Sequence, residues 1–170
     1  SMLSSRLTFE GPVGKGSYLL SGRRTYLEPM LHLADLDEFG YYFYDLQGKV
    51  HQIISHDDQI TIAAYMGEDN FTFDNDFFDM QMKWGNWSAS VMWTHLSSPQ
   101  VYSHYQMNIS RFDSRSRFQV EDFGFTDRNT LVDVDTKADF TWFANEHHTF
   151  ELGGHLKRHN MRLVQEFANM

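Results

Sequence analysis

The sequence predicts an all-β fold: an antiparallel up-and-down meander of about eight strands, forming a barrel or part of a larger one. Apolar and polar residues alternate with period two over most of the chain, the signature of strands with one apolar and one polar face. Aromatic residues make up 16% of the 170 residues, with 15 Phe, 8 Tyr and 4 Trp. Such residues suit strands and are not found in abundance in disordered chains. Short clusters of Gly, Ser, Asn, Asp and Pro punctuate the alternating runs as turns do.

Taken in order, Leu7 and Phe9 alternate with Arg6, Thr8 and Glu10, and Tyr18, Leu20 and Gly22 follow the turn-like stretch Pro12-Val13-Gly14-Lys15-Gly16. Tyr42, Tyr44, Leu46 and Val50 oppose Asp45, Gln47, Lys49 and His51. Ile60, Ile62, Ala64 and Met66 oppose Gln59 and Thr61. Phe78, Met80, Met82 and Trp84 oppose Asp79, Gln81 and Lys83, after which Trp87, Ala89, Val91 and Trp93 take the apolar role. The parity thus flips at Gly85-Asn86, as at a bulge in one long strand or a tight hairpin, and the continuing alternation favours the bulge. Val101, Tyr105, Met107 and Ile109 oppose His104, Gln106, Asn108 and Ser110. Val132, Val134, Ala138, Phe140 and Trp142 oppose Asp133, Asp135, Lys137, Asp139 and Thr141, and Phe150, Leu152, Gly154 and Leu156 oppose Thr149, Glu151, His155, Lys157 and His159. The expected strands are 5–10, 17–25, 41–54, 58–68, 77–96, 101–112, 130–142 and 148–159. Helix is expected only near 27–36, where Leu27, Met30, Leu31 and Ala34 have helical spacing with Pro29 in a first turn, and over Met161 to Ala168.

These strands leave short connections at 11–16, 55–57, 97–100 and 143–147 and long ones at 26–40, 69–76 and 113–129. Strict alternation of short turns and long loops is the outer-membrane barrel pattern. If the short turns face the periplasm, the first strand runs down from the outside and the eighth ends outside, as in an interior slice of a larger barrel; the terminal Asn169-Met170 lacks a closing aromatic residue. By segment, residues 1–2 (Ser1-Met2) look like a cloning scar, 3–160 form the barrel segment, and 161–170 form a C-terminal tail compatible with helix.

Composition narrows the function. Fourteen Lys and Arg against 23 Asp and Glu give a net charge of −9, opposite to what a nucleic-acid partner requires. With no Cys there is no disulfide framework, thiolate zinc site or cysteine nucleophile. No apolar run approaches the length of a transmembrane helix, which leaves β-barrels untouched. No nucleophile elbow, zinc-protease motif, phosphate loop or dinucleotide fingerprint occurs, so no catalytic residue is expected and the chain is not read as an enzyme.

The ordered segments Leu7-Thr8-Phe9-Glu10-Gly11-Pro12-Val13 and Gly16-Ser17-Tyr18-Leu19-Leu20-Ser21-Gly22-Arg23-Arg24-Thr25-Tyr26 resemble the early barrel of TonB-dependent outer-membrane receptors, most nearly the Bacteroidetes type with an N-terminal carboxypeptidase-regulatory-like domain. Tyr41-Tyr42-Phe43-Tyr44-Asp45-Leu46-Gln47-Gly48-Lys49-Val50, Trp84-Gly85-Asn86-Trp87-Ser88-Ala89-Ser90 and His148-Thr149-Phe150-Glu151-Leu152-Gly153-Gly154-His155 extend the resemblance over about residues 5–160. It implies a parent barrel of about 22 strands around a plug, taking up a metal chelate, an oligosaccharide or a similar small-molecule ligand across the outer membrane. It also implies contact with TonB through a plug that this stretch does not contain. A lumenal Arg23 or Arg24 would then touch the plug or an anionic ligand; the plainer reading pairs them with the acidic stripe Asp133, Asp135 and Asp139.

Two other clusters invite a metal. His155 and His159 lie four apart on one strand face, about 13 Å at ~3.3 Å per residue, too far to share an ion, and adjacent His147 and His148 point to opposite faces. Glu68, Asp69, Asp74, Asp76 and Asp79 surround one expected loop without EF-hand order. Neither is read as a metal site, and no cofactor is expected. Period two fits lipid-out and core-in packing equally. A soluble lipocalin-like ligand-binding barrel and a β-sandwich interaction module therefore stand as alternatives. A lone segment in water is expected to pack inward or to form a homodimer through its open edges.

Overall fold

The computed structural model describes residues 4–25, 27–36, 38–75, 77–120 and 123–169. They form one eight-stranded antiparallel sheet in sequence order: β1 (Ser4–Val13), β2 (Gly16–Thr25), β3 (Phe39–Ile53), β4 (Asp58–Asn75), β5 (Phe78–Ser98), β6 (Val101–Val120), β7 (Phe123–Asn145) and β8 (His148–Asn169). One helical turn and a half, α1 (Glu28–Leu33), lies between β2 and β3 with Pro29 in its first turn, as its spacing predicts. β1 and β8 are the edges; among the described residues they do not pair, and the sheet is open.

The turns follow from local chemistry. Val13 pairs with Gly16 across a two-residue turn in which Gly14 has φ 59° and Lys15 does not share the positive φ, the pattern of a type II′ hairpin. Asn75 Oδ1 accepts the backbone N–H groups of Phe77 and Phe78 at 3.0 and 2.9 Å and closes β4 onto β5. Asn145 repeats the device at β7–β8, accepting from His147 at 2.9 Å. At β3–β4, the Asp58 carboxylate accepts from Ser55 Oγ at 2.8 Å and Trp93 Nε1 at 3.0 Å and lies 2.8 Å from His95 Nδ1. The His95, Ser55 and Trp93 contacts hold that carboxyl below its usual range.

The strands are longer than their patterns predict. Of the expected loops 69–76 and 113–129, residues 69–75, 113–120 and 123–129 are strand, since β4 continues to Asn75, β6 to Val120 and β7 starts at Phe123, while 76, 121 and 122 lie outside the described residues. The alternation of short turns with long loops is therefore replaced by hairpins elongated at one end, with 26–38 the one long connection. The expected helix over 161–168 is the last third of β8, paired with β7 from Asn169↔Phe123 to Asn145↔His148. No bulge or turn sits at Gly85-Asn86, which pair in unbroken register with Glu68 and Gly67 on one side and Asp113 and Phe112 on the other. Register shifts occur only beside the short turns, at Leu96/Ser98 and Phe143/Asn145.

The parity flip at Gly85-Asn86 has a different cause, visible once the register aligns all strands. Directly paired residues share a face. One face, called here the Met66 face, carries Leu20, Leu46, Val50, Ile62, Met66, Trp87, Val91, Trp93, Tyr105, Met107, Val134, Phe140, Trp142 and Leu152 near the short turns, and Glu68, Lys83, Asp113, Arg115, Arg128 and Arg162 toward the other end. The opposite, Tyr65 face is its negative: Ser21, Gln47, Lys49, His51, Ser90, His104, Asn108, Asp133 and Asp135 near the short turns, then Phe43, Phe71, Trp84, Phe118, Phe125 and Leu163. Both faces invert at about one level, and Gly85-Asn86 is where β5 crosses it. Ile62, Ala64 and Met66 are exposed while Thr61, Ala63 and Tyr65 are less so. Side chains thus converge on the Tyr65 face, as on the inside of a curved sheet.

No large apolar side chain among the described residues is buried. Val91 is 46%, Ile62 52% and Met107 55% exposed on the Met66 face. The sheet is not closed on itself among the described residues, and its apolar band stands exposed.

Candidate functional site

The concave Tyr65 face has two zones of different chemistry. In the zone near the short turns, β7 and β8 build a ladder of alternating charge. Asp133 lies 2.7 Å from His159 Nδ1 and 3.3 Å from Lys157 Nζ. Asp135 pairs with His155 and accepts from Asn108 Nδ2 at 3.3 Å, and Lys137 lies 2.7 Å from Asp139. Asp133 and Asp135 are held by side chains of neighbouring strands, and Asp139 by Lys137 of its own strand. His155 and His159 contact different aspartates and do not converge. Among the described residues no three His, Asp or Glu side chains gather as a metal would need. This zone is a polar wall whose aspartates all have Lys, His or Asn partners.

At the boundary sits Arg23. Its Nε donates to Asp45 Oδ2 at 2.6 Å, and its guanidinium lies 4.6 Å from the centre of the Phe43 ring. Its partner is thus Asp45 on the neighbouring strand, not the stripe Asp133, Asp135 and Asp139 five strands away. Arg24 follows on the opposite face, across from Tyr44. The structure therefore separates the two arginines, with only Arg23 on the concave side. Beside Arg23, Tyr41 donates to Asp69 Oδ1 at 2.9 Å. Burial first, and the Asp69 carboxylate second, raise the Tyr41 pKa, so the phenol stays a donor.

Beyond Arg23 the face becomes aromatic. Ring centroids run from Phe39 to Phe73 at 4.7 Å, Phe73 to Phe78 at 6.0 Å, Phe78 to Phe118 at 6.4 Å, Phe118 to Phe125 at 6.3 Å and Phe125 to Phe167 at 5.0 Å. This ladder crosses six strands without a gap. Each contact at such a spacing contributes about 0.5–1.5 kcal/mol beyond area burial. The ladder holds the elongated hairpins together where turns alone would not, and presents a row of flat apolar surfaces to whatever occupies the concavity.

Much of this ladder escapes the strand reading of the sequence. Phe118 and Phe125 fall in the expected loop 113–129, and Phe167 in the expected helix. The signal is nonetheless there: Phe112, Phe118 and Val120 keep an even phase against Asp113, Arg115, Arg117 and Gln119. The expected acidic loop is not a cluster. Glu68 reaches Lys83 at 2.8 Å on the Met66 face, Asp69 lies on the Tyr65 face, and Asp74 opposes Asp79 at the hairpin tip; Asp76 is outside the described residues.

No family model matches the chain, and no curated protein matches it significantly. Among solved structures it is similar to the ferric yersiniabactin uptake receptor FyuA of Yersinia pestis, with a TM-score of 0.55 and 10% sequence identity. The match covers 96% of this chain and 34% of that one. At that identity the likeness is one of fold: this sheet follows the course of about a third of that receptor chain.

Proposed function

We propose that this chain is an arc of the wall of an outer-membrane uptake barrel of the TonB-dependent receptor kind, with the Met66 face toward lipid and the Tyr65 face toward the lumen. The observation that carries the reading is the oblique course of the apolar band. On β4 the band runs from Ile60 to Met66, and on β8 from Phe150 to Leu156. Register places Leu156 beside Ile62 through Thr136, Met107 and Val91. The upper end of the band stays level from Met66 through Trp87 and Arg111 to Val132 and falls at β8, while its lower end descends four residues from Ile60 on β4 to Phe150 on β8. That is about 13 Å along the strand over four inter-strand steps of ~4.8 Å, a tilt of about 35°. Transmembrane β-strands tilt about 35–45° from the membrane normal.

Height and rim agree. The band spans six residue steps on β4 and ten on β7, from Val132 to Trp142. At that tilt these are about 16–27 Å of height, against the roughly 25 Å expected of a barrel's lipid belt. The short-turn rim carries stacked Trp93 and Tyr105 at 5.1 Å and Trp142 and Phe150 at 5.4 Å, with the Trp93 N–H turned to Asp58. Tyr44 and Trp87 mark the other rim. Open edges in lipid leave unpaired backbone groups, so β1 and β8 need further strands; the one-third coverage of the FyuA chain supports a larger barrel.

In this reading the inner face binds. The charged ladder lines the water-filled lumen, and Arg23, held by Asp45, faces a plug or an anionic ligand group. The aromatic ladder meets a small ligand at the cell-surface end, a metal chelate or an oligosaccharide. Energy would reach the wall through TonB acting on a plug, and the chain itself has no catalytic part. The face inversion speaks against the lipocalin-like alternative, whose core would need one apolar face along its whole length.

Tryptophan quenching tests this. Trp87, Trp93 and Trp142 lie on the Met66 face and Trp84 on the Tyr65 face. Single-Trp versions of the protein in brominated phosphatidylcholine bilayers should show strong quenching for the first three and little for Trp84. Equal quenching of all four would sink the assignment of faces.

A further inference from the structure

Above the lipid belt the outward face becomes cationic although the chain as a whole carries −9. Lys83, Arg115 and Arg128 are direct cross-strand neighbours on β5, β6 and β7. Three like charges in one row destabilise the sheet that holds them. Glu68 offsets Lys83 at 2.8 Å, and Asp113, 2.6 Å from Arg111, is engaged elsewhere. Among the described residues Arg115 and Arg128 have no carboxylate partner, and both are exposed. The row borders a depression of about 480 Å³. Its floor is low because Gly85 has no side chain and packs against the Gly67 carbonyl. Its lower rim is Met66 and Trp87, the top of the apolar band. Trp87 and Lys83 are four residues apart on β5, about 13 Å along the strand.

We infer that this depression is a binding site for the phosphate groups of a phosphorylated lipid of the outer leaflet. The lipid's apolar part would lie on the Met66–Trp87 rim and its phosphate against Arg115 and Arg128. The site takes an amphiphile: the cations alone would hold any anion, but the apolar rim continuous with the lipid belt selects one carrying acyl chains. Anionic headgroups there remove the repulsion within the row and fix the rotation of the wall relative to the bilayer surface. The inference rests on the proposed membrane reading, with the Met66 face outward and the short turns toward the periplasm.

The test is native mass spectrometry of the detergent-purified, delipidated protein with bisphosphorylated lipid A, dephosphorylated lipid A and inorganic phosphate. The wild type should bind lipid A and neither control. Arg115→Gln/Arg128→Gln should weaken lipid A binding at least about tenfold, since it removes both charge-assisted contacts to the phosphates. Lys137→Gln, a lumenal change, should leave it unaltered. Unchanged lipid A binding by the double variant, or equal binding of dephosphorylated lipid A or free phosphate, would overturn the inference. Tryptophan quenching separates the two readings. A quenched Trp87 with indifferent arginines refutes only the lipid site, whereas an unquenched Trp87 removes the membrane wall itself.

Discussion

Replacing Val91 by Arg probes the lipid belt at its centre. On β5 the belt runs from Trp87 to Trp93, six residue steps or about 20 Å along the strand. Val91 is two steps from one rim and four from the other, hence within about 3 Å of the midplane. Arginine on the lipid face of a barrel costs about 2–4 kcal/mol there and about 0–1 near the interfaces. The adjacent Ser90→Arg puts the same side chain on the wet face beside Ala63 and Asn108, where the cost should be near zero. The two variants differ by one position and share strand, length and charge. The expected difference is therefore about 2–4 kcal/mol, roughly 30- to 1000-fold in the folding equilibrium at 1.4 kcal/mol per decade. Urea titration of each variant in phosphatidylcholine vesicles, followed by Trp fluorescence, reads it as a lower midpoint for Val91→Arg at unchanged slope. If Ser90→Arg is as damaging, or Val91→Arg is neutral, the Met66 face is not a lipid face and the tilt argument fails with it.

Other expectations follow from single contacts. Gly85→Val places a Cβ 2.8 Å from the Gly67 carbonyl oxygen and should cost about 1–3 kcal/mol, whereas Gly154→Ala meets nothing within 4 Å and should be nearly neutral; paired urea midpoints compare them. Asp45→Ala leaves Arg23 with only the Phe43 ring and should cost about 1–3 kcal/mol, Asp45 being largely buried. Hydrogen bonds from Arg111 hold the Asp113 carboxyl below its usual range against the opposing effect of burial, with Thr130 adding to them. A depressed carboxylate stabilises the fold above its unfolded pKa, and that contribution is lost as pH falls through the lower folded value. Stability should therefore decline below about pH 4, and Asp113→Asn should flatten part of that decline. Because the pair is half exposed, the effect at neutral pH should stay within about 1 kcal/mol.

The period-two alternation determined the strand count, the antiparallel order and which residues share a face within each alternating run, because side-chain direction in a strand is local. Phe78, Met80, Met82 and Trp84 needed no neighbour to be sorted from Asp79, Gln81 and Lys83. Strand ends and strand-to-strand relations were not local. Residues 113–120, 123–129 and 161–168 read as loop and helix because their polar face holds Arg and Asp, and only pairing among β5, β6, β7 and β8 makes them strand. The parity flip at Gly85-Asn86 read as a bulge for the same reason: one strand cannot distinguish an inserted residue from a change of surroundings along its length. Register across β4 to β8 shows the change to be common to all of them. The oblique belt, the aromatic ladder and the cationic row are properties of rows that cross strands. A linear sequence places neighbouring members as far apart as Phe78 and Phe118 or Phe125 and Phe167, and the hydrogen-bonded sheet alone brings them together.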